Sequence, residues 1–444
     1  MPDSDYAGGA AASVTTTSDY DAAIVGASLA GCTAAIMLAR AGARVALLEQ
    51  RPDPAAYKRI CSHYLQASAV GTLQRLGLLE PMLAAGALRS RARLWTRWGW
   101  IEPPAKSAVP SGVNMRREHL DPLIRETAAG TDGVDLLLGH SAEELMRDGE
   151  AVCGVRARAA GGESVTLRAP LVVGADGRGS RVAKLAGVRT KSVRHRRFAY
   201  GGYFEGPAPA HHPDASLWLL DPEMAAAFPT DGGLTFYAAM PRMDRLDEFR
   251  ADPEKALVEF VAGVPEAPPI RASRLLAPVQ GKLDMTNVAH AVGAPGLALV
   301  GDAALAIDPL WGVGCGWALQ SAEWLADSVG PALAGPERAR AGALERGLRR
   351  YRRRHARRLR GHAAMIYDYA GARKLNPGER FLFSAAASGD ERLGRTFEAF
   401  GTRCIGPARM FATALPRATL VHARGLLGSE RHGGGTRAVQ TGSA

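Results

Sequence analysis

The segment from Asp21 to Glu49 constrains this chain more than any other. An apolar run of strand length (Asp21 to Val25) meets a glycine turn, a helical stretch follows (Thr33 to Ala41), and a second apolar run (Arg44 to Glu49) ends on an acid. Strand and helix patterns alternating at these lengths read as a βαβ unit, which commits the chain to a parallel sheet flanked by helices. The turn is Val25-Gly26-Ala27-Ser28-Leu29-Ala30-Gly31, with Glu49 standing 23 residues beyond Gly26. That is the context a dinucleotide fingerprint requires. Gly26 permits the tight turn, Gly31 permits close packing of helix on strand, and the first-turn amides face a pyrophosphate with the helix dipole behind them. Glu49 is placed to accept hydrogen bonds from ribose hydroxyls. Ser28 replaces the middle glycine and is small enough to let backbone approach a phosphate. Two alternatives stay open here: a glycine turn without ligand, and a nucleophile elbow, although the elbow needs glycine where Ala30 stands.

Two later segments repeat the theme of a buried strand running into glycines and an acid. Leu171-Val172-Val173 leads into Gly174-Ala175-Asp176-Gly177-Arg178, and Leu297-Ala298-Leu299-Val300 leads into Gly301-Asp302. The second of these continues as Asp308-Pro309-Leu310-Trp311-Gly312-Val313-Gly314-Cys315-Gly316 and then a helix, Trp317 to Ser328. Strands ending in such turns present amides and carboxylates at the carboxyl edge of a sheet, where ligands of open α/β folds bind. Asp302 can grip a polyol hydroxyl, and a helix N-terminus reached through glycines can approach a flat ring and favour negative charge on it.

These three segments, in this order, resemble the para-hydroxybenzoate hydroxylase-like (group A) FAD-dependent monooxygenases and the geranylgeranyl reductase-like flavoproteins of the same superfamily. The likeness covers roughly residues 20 to 335. It implies an α/β fold: a Rossmann-type FAD-binding domain with an inserted antiparallel β-sheet substrate domain and C-terminal helices. The implied FAD contacts fall on Gly26, Ala27, Ser28, Leu29, Ala30 and Gly31; on Glu49, Gln50 and Arg51; on Arg117; on Asp176 and Gly177; and on Gly301, Asp302, Pro309, Gly312, Val313 and Gly314. The activity implied is a monooxygenase, hydroxylating or epoxidising through a C4a-hydroperoxyflavin with NADPH or NADH as transient reductant and O2 as co-substrate. Alternatives are a reductase of the geranylgeranyl reductase type, a flavin-dependent halogenase, and an FAD-binding protein without turnover. Trp98-Gly99-Trp100-Ile101-Glu102-Pro103 only approximates the halogenase motif and precedes the second segment, and Lys58 lies too close to Glu49 for the halogenase lysine. Arg59-Ile60-Cys61-Ser62 loosely matches the reductases' cysteine stretch.

No acid or base is compulsory for the monooxygenase reaction, so no catalytic residue is assigned; Cys61, His63 and Trp311 are the candidates. Cys61 and Cys315 each have a packing alternative, since most free cysteines behave as small hydrophobes. In the resembling fold the substrate lies against the antiparallel sheet, which nominates Tyr203, Trp218, Phe236 and Trp311, with His63 and Tyr64 from the loop after Glu49. The alternative for each is core packing.

With 444 residues the chain exceeds one core, and 47% hydrophobic against 22% charged residues is ordinary for a globular protein. The boundaries expected are a disordered tail at 1–19, an FAD-binding domain at 20–190 with 290–335, a substrate sheet domain at 191–289, a C-terminal helical region at 336–428 and a second disordered tail at 429–444. No apolar stretch approaches the roughly 20 residues of a membrane span. Five scattered cysteines without a C-x-x-C pair fit reduced thiols and a cytoplasmic location, and no spacing suggests a metal. The net charge of +11 concentrates in Arg338 to Arg360. There Leu344, Leu348, Tyr351, His355 and Leu359 recur at helical spacing, so the arginines read as the solvated flank of an amphipathic helix, with nucleic-acid or membrane contact the alternative. The expected partner is a small hydrophobic or aromatic molecule, free or presented by a carrier protein, of the kind tailored in bacterial secondary metabolism. Monomer and homodimer stay equally open.

Overall fold

The apolar runs that carry the three motifs become neighbours in one six-stranded sheet. The computed structural model describes residues 16–334 and 342–433. The strand order is Gly293–Ala294, Leu297–Leu299, Leu171–Gly174, Ala22–Val25, Val45–Glu49, Val134–Leu138. All pairs are parallel except that of the short edge strand Gly293–Ala294. Both faces of a parallel sheet are covered, so its strands read as unbroken apolar runs; Ala22–Val25, Val45–Glu49 and Leu171–Gly174 are buried throughout. Helices Leu29–Arg40 and Gly314–Leu333 pack on one face. An antiparallel sheet of His140–Asp148, Ala151–Ala159 and Ser164–Arg168 packs on the other.

A second large sheet forms beside the first. Ala199–Glu205, Leu234–Met240, Met224–Pro229 and Ala215–Leu219 pair antiparallel. Ala92–Thr96 joins them parallel to Ala215–Leu219, and Gly99–Ile101 extends the edge. The tryptophan-rich stretch 95–100, expected in the FAD-binding domain, therefore lies in this second sheet. Its partner strand is more than a hundred residues away, so no local signal marks the pairing. Side chains alternate across this sheet: Phe204, Trp218 and Tyr237 pack against helix Pro253–Ala262, while Ala226, Phe228 and Ala238 face the opposite way, toward Tyr64.

Three other boundaries differ from expectation. Thr16–Asp19, placed in the N-terminal tail, form a strand pairing with Ser164–Arg168. The first helix starts at Leu29 instead of Thr33, because Ser28 is its N-cap and Gly31 lies inside its first turn. The last helix runs Pro407–Gly433, past the expected boundary at 429. Residues 1–15 and 434–444 of the expected tails, and the start of the arginine run at Arg338, lie outside the described residues. Among the described residues no helix is long and apolar enough to cross a membrane, and no group of three or more metal-ligating side chains occurs.

Helix Ala343–Ala370 turns Leu348, Tyr351, His355 and Leu359 inward and leaves Arg349, Arg353 and Arg357 exposed. The Tyr351 hydroxyl donates to the Leu299 carbonyl at 2.6 Å, tying this helix to the strand that carries the third motif. Helices Pro377–Ala386, Glu391–Gly401 and Pro407–Gly433 then close over the second sheet.

Burial pushes the His355 imidazole down to about 4, and its Nε2 has no hydrogen-bond partner. A histidine held neutral in the fold but protonated when unfolded stabilises fully above its ordinary value near 6.5 and loses that contribution as pH falls toward 4. His355→Leu is accordingly expected to flatten the decline in urea midpoint between pH 7 and pH 4.5, by on the order of 2 kcal/mol.

Candidate functional site

Because the three motif strands are adjacent and parallel, their carboxyl ends place Gly26, Asp176 and Asp302 along one edge, with Glu49 on the next strand. The first turn is tightly closed. A Cβ on Gly31 would stand 1.7 Å from the Gly26 carbonyl oxygen, and one on Gly26, whose φ is +105°, would stand 2.6 Å from the Ala175 oxygen. Glu49 is buried and accepts from the Ala27 amide at 3.1 Å and from the Arg51 amide at 3.1 Å. Its carboxylate thus fixes the turn that it would share with a ribose. Gln50 is exposed and Arg51 half-buried, its Nε 3.2 Å from Glu49.

Arg117 joins the motifs. Its side chain is buried and paired with Asp121 at 2.6 Å, and it donates to Ser28 Oγ at 2.9 Å. Its other terminal nitrogen lies 3.7 Å from Cys315 Sγ and 3.9 Å from Cys61 Sγ. Asp121 also receives the Lys58 amide at 2.9 Å. Arg125, two helical turns beyond Arg117, is buried and donates to the carbonyls of Ala27 and Ala56 at 3.2 and 2.9 Å and to that of Pro54. Sequence reading singled out Arg117 but not Arg125. The signal available was the period: 117, 121 and 125 share one face of Arg117–Ala129.

Asp176 is occupied within its own turn, accepting from the Ser180 hydroxyl at 2.6 Å and the Val182 amide at 3.0 Å. Arg178 ties this turn to the third segment by donating to the Thr286 and Ile307 carbonyls. Asp302 is half-buried and faces Lys58 Nζ at 3.4 Å, and the Asp302 charge raises the lysine's pKa. Lys58, set aside on sequence, thus reaches the third motif across the strand edge. Asp308 lies fully buried between His195, at 2.7 Å, and Arg197, at 2.9 Å; its side chain also caps Pro309–Trp311 through the Leu310 amide. This fixes the turn in which Gly312 adopts φ +59°. Pro309 and Gly314 are exposed and Val313 is buried.

These residues fit the FAD that the sequence implies. Helix Leu29–Arg40 has neither a side-chain cap nor an acid in its first turn, which leaves its N-terminal amides for a phosphate. No heavy atom lies within 4 Å of where a Cβ on Gly177 or Gly179 would stand, so the backbone there is open to a ligand. Glu49 and Asp302 supply a carboxylate at each end.

Beyond Trp311 lies a cavity of about 190 Å³ between the second sheet and the C-terminal helices. Its wall includes Tyr64, Leu217, Met224, Phe228, Trp311 and Phe400. Of the four aromatic candidates, Trp311 lines it. Trp218 is buried on the opposite face of the sheet, its indole donating to the Pro265 carbonyl at 2.8 Å. Tyr203 and Phe236 pack on His63, with ring centroids 5.4 and 5.8 Å away. His63 itself is buried at φ +62° and accepts the Arg117 amide on Nδ1 at 3.2 Å. Two polar groups of the wall that keep an unpartnered nitrogen went unpredicted: His362 at Nδ1 and Arg403 at Nε. Both sit on C-terminal helices or the turn between them, where sequence offers no motif.

The FAD binding domain family matches residues 19–359 of this chain. The kynurenine 3-monooxygenase of Salinispora arenicola is 28% identical over 400 residues, covering 84% of both chains. The tryptophan 2-halogenase of Chondromyces crocatus is 28% identical over 341 residues, 70% of this chain and 61% of the halogenase, so this chain spans about three fifths of that relative's length. It spans 41% of the 6-methylpretetramide 4-monooxygenase of Streptomyces rimosus, at 31% identity over 176 residues. Among solved structures, a flavin-dependent brominase superposes with a TM-score of 0.72 at 17% identity, covering 92% of this chain and 99% of that one. The p-nitrophenol 4-monooxygenase of Pseudomonas putida superposes at 0.70 with 19% identity, covering 88% and 99%. These two share the fold.

Three substitutions test the cradle. Gly31→Ala forces its Cβ into backbone and is expected to cost about 1–3 kcal/mol and to lose FAD retention on a desalting column, whereas Gly179→Ala, in open space, leaves stability within about 0.5 kcal/mol. Asp121→Ala strands the buried Arg117 charge and is expected to lower stability by about 3–5 kcal/mol in urea unfolding.

Proposed function

The chain belongs to the FAD binding domain family, and we propose that it is an FAD-dependent monooxygenase, reduced by NADPH or NADH, that transfers one oxygen atom from O2 to a sizeable hydrophobic or aromatic molecule. The observation that carries this reading is the apolar cavity whose wall is shared with the third motif through Trp311 and Gly312. It adjoins the FAD cradle and shares Gly312 with it. When bound, FAD supplies the two-electron chemistry and the activation of O2.

The chain's own residues bind, orient and exclude water. Gln66 donates to the Trp311 and Gly401 carbonyls at 2.9 and 3.1 Å, holding the cradle side of the cavity to its helical cover. Leu217, Met224, Phe228 and Phe400 give the wall its apolar character. Arg403 lies over the Phe400 ring at 5.4 Å with Nε unpartnered. His362 is pushed down to about 4 by burial and by the neighbouring Arg403 charge, so it is neutral near pH 7. A few polar groups in an apolar wall fix the orientation of a ligand; here they are suited to a substituent that accepts hydrogen bonds. No acid or base is needed beyond these. The kynurenine monooxygenase, which matches this chain over 84% of both lengths, supports the same reading.

The decisive experiment is a visible spectrum of the purified protein, followed by anaerobic NADPH or NADH and then air. The expected result is a yellow protein that bleaches with the nicotinamide and recovers its flavin bands in air. Bleaching by free reduced flavin alone would replace this proposal with the halogenase type. Colourless protein that takes up no added FAD would overturn the FAD reading altogether.

A further inference from the structure

Two cysteines 254 residues apart meet beside the cradle. Cys61 Sγ and Cys315 Sγ are 3.5 Å from one another. Cys61 lies in the segment that links Glu49 to the second sheet; Cys315 is in the first turn of helix Gly314–Leu333. The Arg117 guanidinium faces both sulfurs, and the His63 amide donates to Cys61 Sγ at 3.3 Å. The segment carrying Cys61 is held on either side of the thiol, by Lys58 on Asp302 and by His63 on Arg117. The two sulfurs therefore face each other on restrained backbone.

We propose that Cys61 and Cys315 form a second redox site in this protein, a dithiol that closes to a disulfide when a hydroperoxide, such as hydrogen peroxide, oxidises it. A cation against two facing thiols stabilises a thiolate, the form that reacts. The Cys315 thiol, the His63 side chain and Arg117 together hold Cys61 well below the usual thiol range against the opposing effect of burial, while Cys315 is raised by giving its hydrogen bond to Cys61 and by burial. Cys61, half-buried, is also the more accessible of the two.

In the first step the Cys61 thiolate attacks one peroxide oxygen. An S–O bond forms, the O–O bond breaks, and hydroxide leaves and takes up a proton as water; Cys61 is oxidised by two electrons to the sulfenic acid. Cys315 then attacks the Cys61 sulfur. The S–S bond forms, the S–O bond breaks, and the leaving hydroxide takes the Cys315 proton as a second water. Two thiols and one hydrogen peroxide give one disulfide and two waters. The sulfurs must approach to about 2.05 Å, a displacement of about 1.5 Å. Closure ties the segment over the cradle covalently to the helix into which the third motif runs. A thiol reductant reverses it.

The test is a count of free thiols on the FAD-loaded protein, denatured after treatment with hydrogen peroxide, together with intact mass and peptide mapping. Of five cysteines, two are expected to become unreactive, the mass to fall by two hydrogens, and a peptide linking Cys61 to Cys315 to appear and vanish with dithiothreitol. Cys61→Ser and Cys315→Ser should each abolish the linked peptide, and Cys153→Ser should still lose two thiols. Should either active variant fail to fold, peptide mapping of the unsubstituted protein decides alone. An unchanged count of five, added oxygen on Cys61 without a linked peptide, or a link to any other cysteine would overturn the proposal. None of these readouts depends on flavin turnover.

Discussion

Everything at the candidate site depends on Leu171–Gly174 lying parallel between Ala22–Val25 and Leu297–Leu299. The register matches Gly174 with Val25 on one side and with Leu299 on the other, so three strands end at the same level and their turns open on one edge. Close packing enforces this arrangement. A Cβ on Gly174 would stand 2.6 Å from Leu299 Cδ2 and 3.0 Å from Val182, which leaves room for glycine alone. Hydrogen bonds carry the register past the strands, with the Ala175 amide on the Val25 carbonyl and the Val300 amide on the Gly174 carbonyl.

On that edge, buried charge does the joining. Arg117 and Arg125 come from one helix and reach the first turn through Ser28 Oγ and the Ala27 carbonyl. A guanidinium inside a protein is tolerated only with partners for its donors. Asp121 and three carbonyls provide them here, so the pair is fixed geometrically by the cost of leaving it unsatisfied. The same logic fixes the third turn from the far side, where Asp308 is held between Arg197 and His195. The cradle is thereby preorganised from both flanks, and the strained backbone of His63 at φ +62° sits on the first of them, beside Arg117.

The second sheet separates two jobs by its pleat. One face is filled by helix Pro253–Ala262 and the aromatic core around Trp218 and Tyr237. The other is closed off by helices from the end of the chain, and the space left between them is the apolar cavity. Cover and cradle are linked directly: Gln66 bonds to Trp311 and Gly401 at once, and Tyr351 bonds to the Leu299 carbonyl. The C-terminal helices thus serve as the roof of the cavity.

Arg117 entered through the family resemblance, whereas the first βαβ unit, the glycines of the three turns, the acids Glu49 and Asp302 and the amphipathic face of Ala343–Ala370 were legible in the chain itself. Each expresses a short-range rule: a period, a cap, a positive φ or a spacing. What was not legible came from long-range pairing. The stretch at Trp95–Trp100 gave no sign that it would join a sheet a hundred residues later, because a parallel strand partner leaves no local signal. The pattern of alternation marked Tyr203, Trp218 and Phe236 as sheet aromatics but not which face each would take. Arg403 and His362 reach the cavity only because the last helices fold back over it. The sequence by itself determined the FAD-binding fold, since each of the three motif turns is set by neighbours within a few turns of the chain. Only the tertiary structure decided the cavity wall and the meeting of Cys61 with Cys315, because both depend on which distant surfaces pack, and close packing is a property of the assembled chain.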